Sequence, residues 1–267
     1  MNTFTLVVGC LQFVAGLVHA QPLPADGHSA EAGHANLVVI VADDLARWAL
    51  GAYGNGEART PNIDRLAREG AKFTRAYAAT PVCSPSRATL LTGLYGTQVG
   101  VTDHISPDDA QRGVGLPAEA ATWPAALQAR GYRTGLVGKW HLGEAPQFHP
   151  TRHGFGFFYG RLDGKNEPLD PVVEADGMPR AEHGYLVDLT TDAAARFIAE
   201  NRQRPFALSI HYNAPHDPYT PVAAPDAAPF LDSSPAVPDL AGLSRPQLQG
   251  FYRDYYASIH ADRKSVV

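Results

Sequence analysis

Disulfide chemistry is almost excluded from the start, because the 267 residues hold only two cysteines, Cys10 and Cys83. Basic residues are not in excess either: 22 Lys and Arg stand against 27 Asp and Glu, a formal net charge of −5. That balance offers no broad positive field, so no nucleic-acid partner is expected, and any anion must be met by a local cluster. There is no internal period, heptad run or low-complexity block, which excludes repeat arrays and coiled coils. No apolar stretch is long enough for a stable membrane span; the longest runs from Phe4 to Val18. Glycine (25) and proline (22) are plentiful instead, as in a globular chain with many ordered loops.

The first twenty residues end in Val18-His19-Ala20, a small-x-small pattern. They read as a signal peptide cleaved after Ala20, although no Lys or Arg precedes the apolar run. The "VVGC" at Cys10 also has the look of a lipid-anchor signal, but lies very early for one. Cleavage predicts a secreted or periplasmic protein, a leader over residues 21–35 and one catalytic unit over residues 36–267. It leaves Cys83 as a lone thiol in an oxidising compartment, which needs an explanation.

Strand and helix signals alternate. The run Leu37 to Ala42 reads as a buried central strand. "TPNIDRLAREG" reads as a helix capped by Thr60, with Pro61 first and Gly70 as stop. "AKFTRAYAAT" (71–80) reads as a strand leading into the cysteine segment, and "TWPAALQARG" as a second capped helix. "YRTGLVGKWHLG" gives strand then loop, "LVDLTTDAAARFIAENR" an amphipathic helix, and "PFALSIHYNAPHDP" a strand ending in a histidine loop. Residues 153–184 and 217–243 read as long surface loops, and a helix after Ser244, opened by a Ser244/Gln247 capping box, runs on without a stop. The alternation predicts a three-layer α/β/α sandwich whose sheet order is not readable. Asp43, Asp44, Lys139, His141 and His216 all fall just after strands, the edge where open α/β sheets bind ligands.

Each of these residues has an ordinary explanation as well. Asp43 and Asp44 suit a turn, or a hard cation such as calcium or magnesium. Arg87 follows Cys83 by one helical turn, so both can face one side; alone it would be a surface ion-pair residue. Lys139 and His141, two apart on extended chain, share a face while Trp140 turns into packing. His216 could simply bond backbone, and His104, His149, His153 and His211 carry no further signal and read as surface or pocket residues.

Cys83, Pro85, Arg87, Thr92 and Gly93 reproduce C-x-P-x-R-x-x-x-x-T-G, and with them the chain resembles the sulfatase family. "NLVVIVADD", "GYRTGLVGKWHLG", "HGFGFFYG" and "NAPHDP" resemble further family segments. The resemblance implies the alkaline-phosphatase-like fold, incomplete at the C-terminus. It also implies oxidation of Cys83 to formylglycine by a separate formylglycine-generating enzyme, which removes the need for a disulfide partner. The hydrated aldehyde would take the sulfuryl group on one oxygen, then expel sulfate as the other is deprotonated and C=O reforms. By the same resemblance Asp43, Asp44 and the modified Cys83 hold one Ca2+, Arg87 holds the formylglycine oxygen and Lys139 binds sulfate and formylglycine. His141 is the base that collapses the sulfated diol, and His216 contacts sulfate and helps protonate the leaving oxygen. The family's second metal pair and another lysine have no match after His216, so the chain resembles the N-terminal part of such an enzyme.

The expected function is therefore a sulfuric ester hydrolase acting on a sulfate-ester small molecule or a sulfated glycan. Two alternatives stand beside it: a phosphonate or phosphate ester hydrolase using the same diol, and a non-catalytic remnant that binds anions or glycans.

Overall fold

The computed structural model describes residues 4–8, 35–238 and 242–261. Its strands and helices are, in chain order, β1 (Phe4–Val8), β2 (Asn36–Ala42), α1 (Pro61–Glu69), α2 (Cys83–Thr92), α3 (Pro107–Gln111) and α4 (Trp123–Gln128). They continue with β3 (Arg133–Lys139), β4 (Phe157–Arg161), β5 (Val172–Ala175), β6 (Met178–Ala181), α5 (Leu186–Asn201), β7 (Phe206–Tyr212), α6 (Ala224–Ala227) and α7 (Arg245–Ala261). The expected cleavage site and Cys10 lie outside the described residues, whereas Phe4–Val8 forms the edge strand beside β2. Among the described residues no helix is long and apolar enough to cross a membrane.

All seven strands form one sheet in the order β1-β2-β7-β3-β4-β5-β6. The first five run parallel, and β5 and β6 turn back antiparallel. Side chains alternate between faces along each strand. On β3 and β4, Val137 and Tyr159 join Val38, Ile40, Leu208 and Ile210 in packing against Ala193, Ala194 and Phe197 of α5. Their neighbours Leu136 and Phe158 pack on the opposite face with Ala88 and Leu91 of α2, and Trp123 of α4 lies against that cluster. Helices therefore cover both faces, the three-layer arrangement expected from the sequence. Every residue of β7 is buried, as the central position requires.

Local signals explain most elements. Pro61 occupies the first position of α1 and Thr60 precedes it, but Thr60 Oγ1 accepts from the Gly51 N–H instead of capping the helix. Thr122 does cap α4 through the Ala125 N–H, and Ser244 with Gln247 forms the expected pairing before α7.

Two expectations fail. Residues 71–80 form no strand, and Phe73 and Tyr77 stand exposed. Both edges of β2 are already occupied by β1 and β7, while the Arg47 and Tyr53 side chains donate to the carbonyls of Thr74 and Phe73. In turn, residues 153–184 are not a loop but contain β4 and the β5–β6 hairpin. Asp176 and Gly177 at its turn have φ of 54° and 78°, as a two-residue turn with both central residues left-handed demands.

One glycine fixes how closely three strands approach. Gly138 has φ 103° and sits in register between His211 of β7 and Gly160 of β4, where a Cβ would collide with the His211 carbonyl. Gly138→Ala is expected to cost about 3 kcal/mol or more through combined strain and overlap. Urea unfolding of the two proteins measures this; a loss under about 1 kcal/mol would contradict the packing described.

Candidate active site

Three adjacent strands, β2, β7 and β3, end together, and their C-terminal ends carry the charges. Asp43 follows β2 directly, its N–H extending the ladder to the Tyr212 carbonyl at 3.2 Å. Lys139 is the last residue of β3, and α2 brings Arg87 in from one face. The Lys139 ammonium donates to Asp43 Oδ2 at 2.5 Å, and Arg87 Nη2 lies 3.6 Å from Asp43 Oδ1. Lys139 and Arg87 are fully buried and Asp43 nearly so. Burial alone would raise the Asp43 pKa, but Arg87 and Lys139 outweigh it and hold the carboxyl at about 2.

Arg87 is tied down on one side only. Its Nη1 donates to the Lys139 carbonyl at 2.7 Å and contacts His211 Nδ1 at 3.0 Å, while among the described residues Nε and Nη2 are buried without a hydrogen-bond partner. These two nitrogens share an edge of the planar fork, the edge that meets carboxylates, phosphates and similar oxyanions in bidentate fashion. The buried members, Arg87, Lys139 and Asp43, sum to a single positive charge.

His141 lies two residues beyond Lys139, but the chain leaves extended geometry there, with φ 57°. Its Nε2 lies 3.0 Å from the Ile105 carbonyl, an acceptor, so the ring carries its proton on Nε2 and presents a buried, unpartnered Nδ1 lone pair. Burial first and Lys139 second lower its pKa to about 4. Gly164 packs on the ring so closely that a methyl group would overlap it. The loop bearing Gly164 is held by Arg161, which donates to Asp163 and Glu167, and by Asn166, whose amide donates to the carbonyls of His216 and Pro218. Asn213 adds a bond to the Lys165 carbonyl at 2.9 Å.

The structure thus joins Asp43, Arg87 and Lys139 directly, with His141 close enough to feel their charges. Cys83 is half-buried at the first position of α2, one turn before Arg87. His216 Nε2 stands 3.8 Å from Asp44 Oδ2. Asp44 has φ 61° and a largely exposed side chain, and the Tyr255 hydroxyl of α7 donates to its carbonyl at 2.8 Å. Burial and the Asp43 charge raise the Asp44 pKa.

Asp43 and Asp44 offer the hard oxygens calcium prefers, but Asp43 is engaged by Lys139 and Arg87. Among the described residues no three His, Cys, Asp or Glu side chains converge as a metal-binding group. Calcium takes about six to eight oxygens, so these residues do not make a complete site.

Sequence reasoning left His211 and His153 as surface or pocket residues; both are buried. His153 stacks beside Trp140, ring centres 5.5 Å apart. His211 contacts Arg87 itself. The available signal was Ser209-x-His211-x-Asn213, polar at every second position of an otherwise apolar strand.

The sulfatase family model matches residues 35–260. This chain belongs to the sulfatase family. N-acetylglucosamine-6-O-sulfatase of Bacteroides thetaiotaomicron is 35% identical to it over 202 residues, 74% of this chain and 33% of the relative. The crystal structure of Ps i-CgsB superposes with a TM-score of 0.76 at 30% identity, covering 87% of this chain and 53% of that one. BT4656 in complex with its substrate D-glucosamine-2-N,6-O-disulfate gives a TM-score of 0.66 at 32% identity, over 78% of this chain and 39% of that one. The sulfatase chain therefore spans between a third and about half the length of these relatives. Its sheet and helices have the alkaline-phosphatase-like fold that the resemblance implied.

The buried histidine has a thermodynamic consequence for this chain. Burial, then Arg87, lowers the His211 pKa from 6.5 to about 3, with Lys139 and Asp43 the other charged groups nearby. The unfolded chain takes up a proton near pH 6.5 that the folded chain refuses, so stability is present above that pH and lost toward pH 3. His211 is expected to contribute about 1.4 kcal/mol of loss per pH unit across that window. Urea unfolding at pH 7 and pH 5 should show His211→Asn losing about 2 kcal/mol less than the parent on acidification; equal losses would contradict a buried neutral ring.

Proposed function

We propose that this chain carries the nucleophile-bearing half of a sulfuric ester hydrolase, which releases inorganic sulfate from a sulfate ester of a sugar or other small alcohol. The observation that carries the proposal is the Nε–Nη2 edge of Arg87: two buried nitrogens that find no hydrogen-bond partner among the described residues, beside a buried ammonium and one turn into the helix that begins with Cys83. A sulfate ester bears one negative charge, which matches the single positive charge of the buried cluster. A phosphate monoester dianion would leave the site negative, at a high cost in a buried setting.

Roles follow from position. Arg87 would dock an oxyanion through Nε and Nη2, and Lys139 would neutralise charge growing on a sulfuryl oxygen. Both are fixed before substrate arrives, which is where electrostatic catalysis gains most. His141 would accept a proton at Nδ1, since its Nε2–H is directed to Ile105. A bound anion raises its pKa from about 4 toward the working range. His216, beside Asp44, would face the leaving oxygen.

Formylglycine made from Cys83 would supply the hydrated aldehyde that acts as nucleophile. Calcium belongs to the same reading: Asp43 and Asp44 would be this chain's share of its ligands, with the rest coming from beyond the described residues. Secretion or periplasmic export, and maturation by a formylglycine-generating enzyme, fit a lone unpaired cysteine. The relative solved with a glucosamine disulfate supports a sugar sulfate as the substrate class.

The test is made on the full-length protein co-expressed with a formylglycine-generating enzyme. Mass spectrometry of the Cys83 peptide is expected to show thiol-to-aldehyde conversion. Cys83→Ala is expected to lower sulfate release from a 6-O-sulfated amino sugar or an aryl sulfate by about a thousandfold or more. Full turnover from Cys83→Ala would overturn the proposal, and dominant turnover of an aryl phosphonate would reassign the reaction.

A further inference from the structure

Beneath the cationic site lies a buried relay that the motif does not contain. His211 is on β7, its ring fully buried, with Nδ1 3.0 Å from Arg87 Nη1 and Nε2 2.8 Å from Ser209 Oγ. Its Nδ1 is also 3.1 Å from the Lys139 carbonyl. Of the two neutral tautomers, the one with the lone pair on Nδ1 gives every N–H at these contacts an acceptor, and it leaves Nδ1 and the Lys139 carbonyl as two acceptors bridged by Arg87 Nη1. An arginine fork never loses its protons and can only donate, so an N–H at His211 Nδ1 would face another donor. Nδ1 must therefore be the lone pair. Nη1 carries two hydrogens, one for the Lys139 carbonyl and one for His211 Nδ1. The His211 proton sits on Nε2 and is donated to Ser209 Oγ.

We infer that His211, locked as the Nε2–H tautomer by Ser209, is a positioning residue that anchors Nη1 of Arg87 and so leaves the Nε–Nη2 edge free to bind the substrate's oxyanion. With both Nη1 hydrogens taken by acceptors, the guanidinium plane is fixed from behind. A ring that carried charge here would repel Arg87 and turn the fork, so the neutral form is the working one. The low pKa caused by burial and by Arg87 is consistent with that. The inference rests on the proposed anion site but makes no claim about the reaction performed there.

Two measurements on the full-length protein separate the inference from the function proposed above. The first is nitrogen NMR of labelled histidine. His211 is expected to show an unprotonated Nδ1 and a protonated Nε2 from pH 7 down to pH 5, and a protonated Nδ1 would overturn the inference. The second compares His211→Leu, His211→Asn and Ser209→Ala in titrations with inorganic sulfate and, on the matured enzyme, in kcat/KM for an aryl sulfate. Leu removes the acceptor, whereas the Asn side-chain oxygen can replace it near the Nδ1 position.

His211→Leu is expected to weaken sulfate binding and kcat/KM by about 10- to 100-fold, the scale of a hydrogen bond to a charged group. His211→Asn should restore both to within about fivefold of the parent, and Ser209→Ala should cost about three- to tenfold. If His211→Leu folds and binds sulfate like the parent, or if Asn and Leu are equally impaired, the positioning role is wrong. A parent that binds sulfate but does not hydrolyse the ester would sink the function proposal alone.

Discussion

Asp43 placed between Lys139 and Arg87 is the interaction on which the rest of the structure depends. Removing three charged side chains from water costs several kcal/mol each, and mutual attraction offsets this only where geometry is close and fixed. The fold supplies that geometry through the sheet. β2, β7 and β3 are neighbours in parallel register, so the residue after β2 and the residue ending β3 arrive on either side of the central strand. Helix α2, packed through Ala88 and Leu91, delivers the guanidinium from one face. The close strand approach at Gly138 belongs to the same requirement, because it brings the Lys139 carbonyl within reach of both Arg87 and His211.

Two histidines near this cluster use one device. Each directs Nε2 to a neutral oxygen, Ile105 O for His141 and Ser209 Oγ for His211, and each turns the Nδ1 lone pair the other way. Burial first, and the nearby cations second, keep both rings uncharged. They differ in what the lone pair meets: for His211 it is Arg87, so the ring supports; for His141 it has no partner among the described residues, so the ring is free to take a proton.

Much of the scaffold was legible because its signals are local. Thr122 before "WPAALQ", Pro61 opening α1, the apolar run of β2 and the periodicity of α5 need no knowledge of distant chain. The cysteine motif was legible for the same reason, since it covers one helix of ten residues and the glycine that ends it. The Asp43–Lys139 pair spans 96 positions and Arg87–His211 spans 124, so neither could be read before the strand order was known. Residues 71–80 look like a strand by composition, but a strand needs an unpaired neighbour, and sequence does not say that both sides of β2 are filled. The β5–β6 hairpin carried its signal in Asp176-Gly177, masked by a surrounding excess of glycine, proline and aspartate.

The segment after β4 is stitched at several points: Arg161 grips Asp163 and Glu167 from within, Asn166 reaches the carbonyls of His216 and Pro218, and Asn213 secures Lys165. Such fastening leaves little freedom for local opening. His141, under Gly164, and His216, whose carbonyl accepts from Asn166, consequently share one frame. Diversity in what the site admits has to enter through outer segments, since any longer or bulkier insert between Arg161 and Glu167 would disturb the contacts at His141 and His216 together.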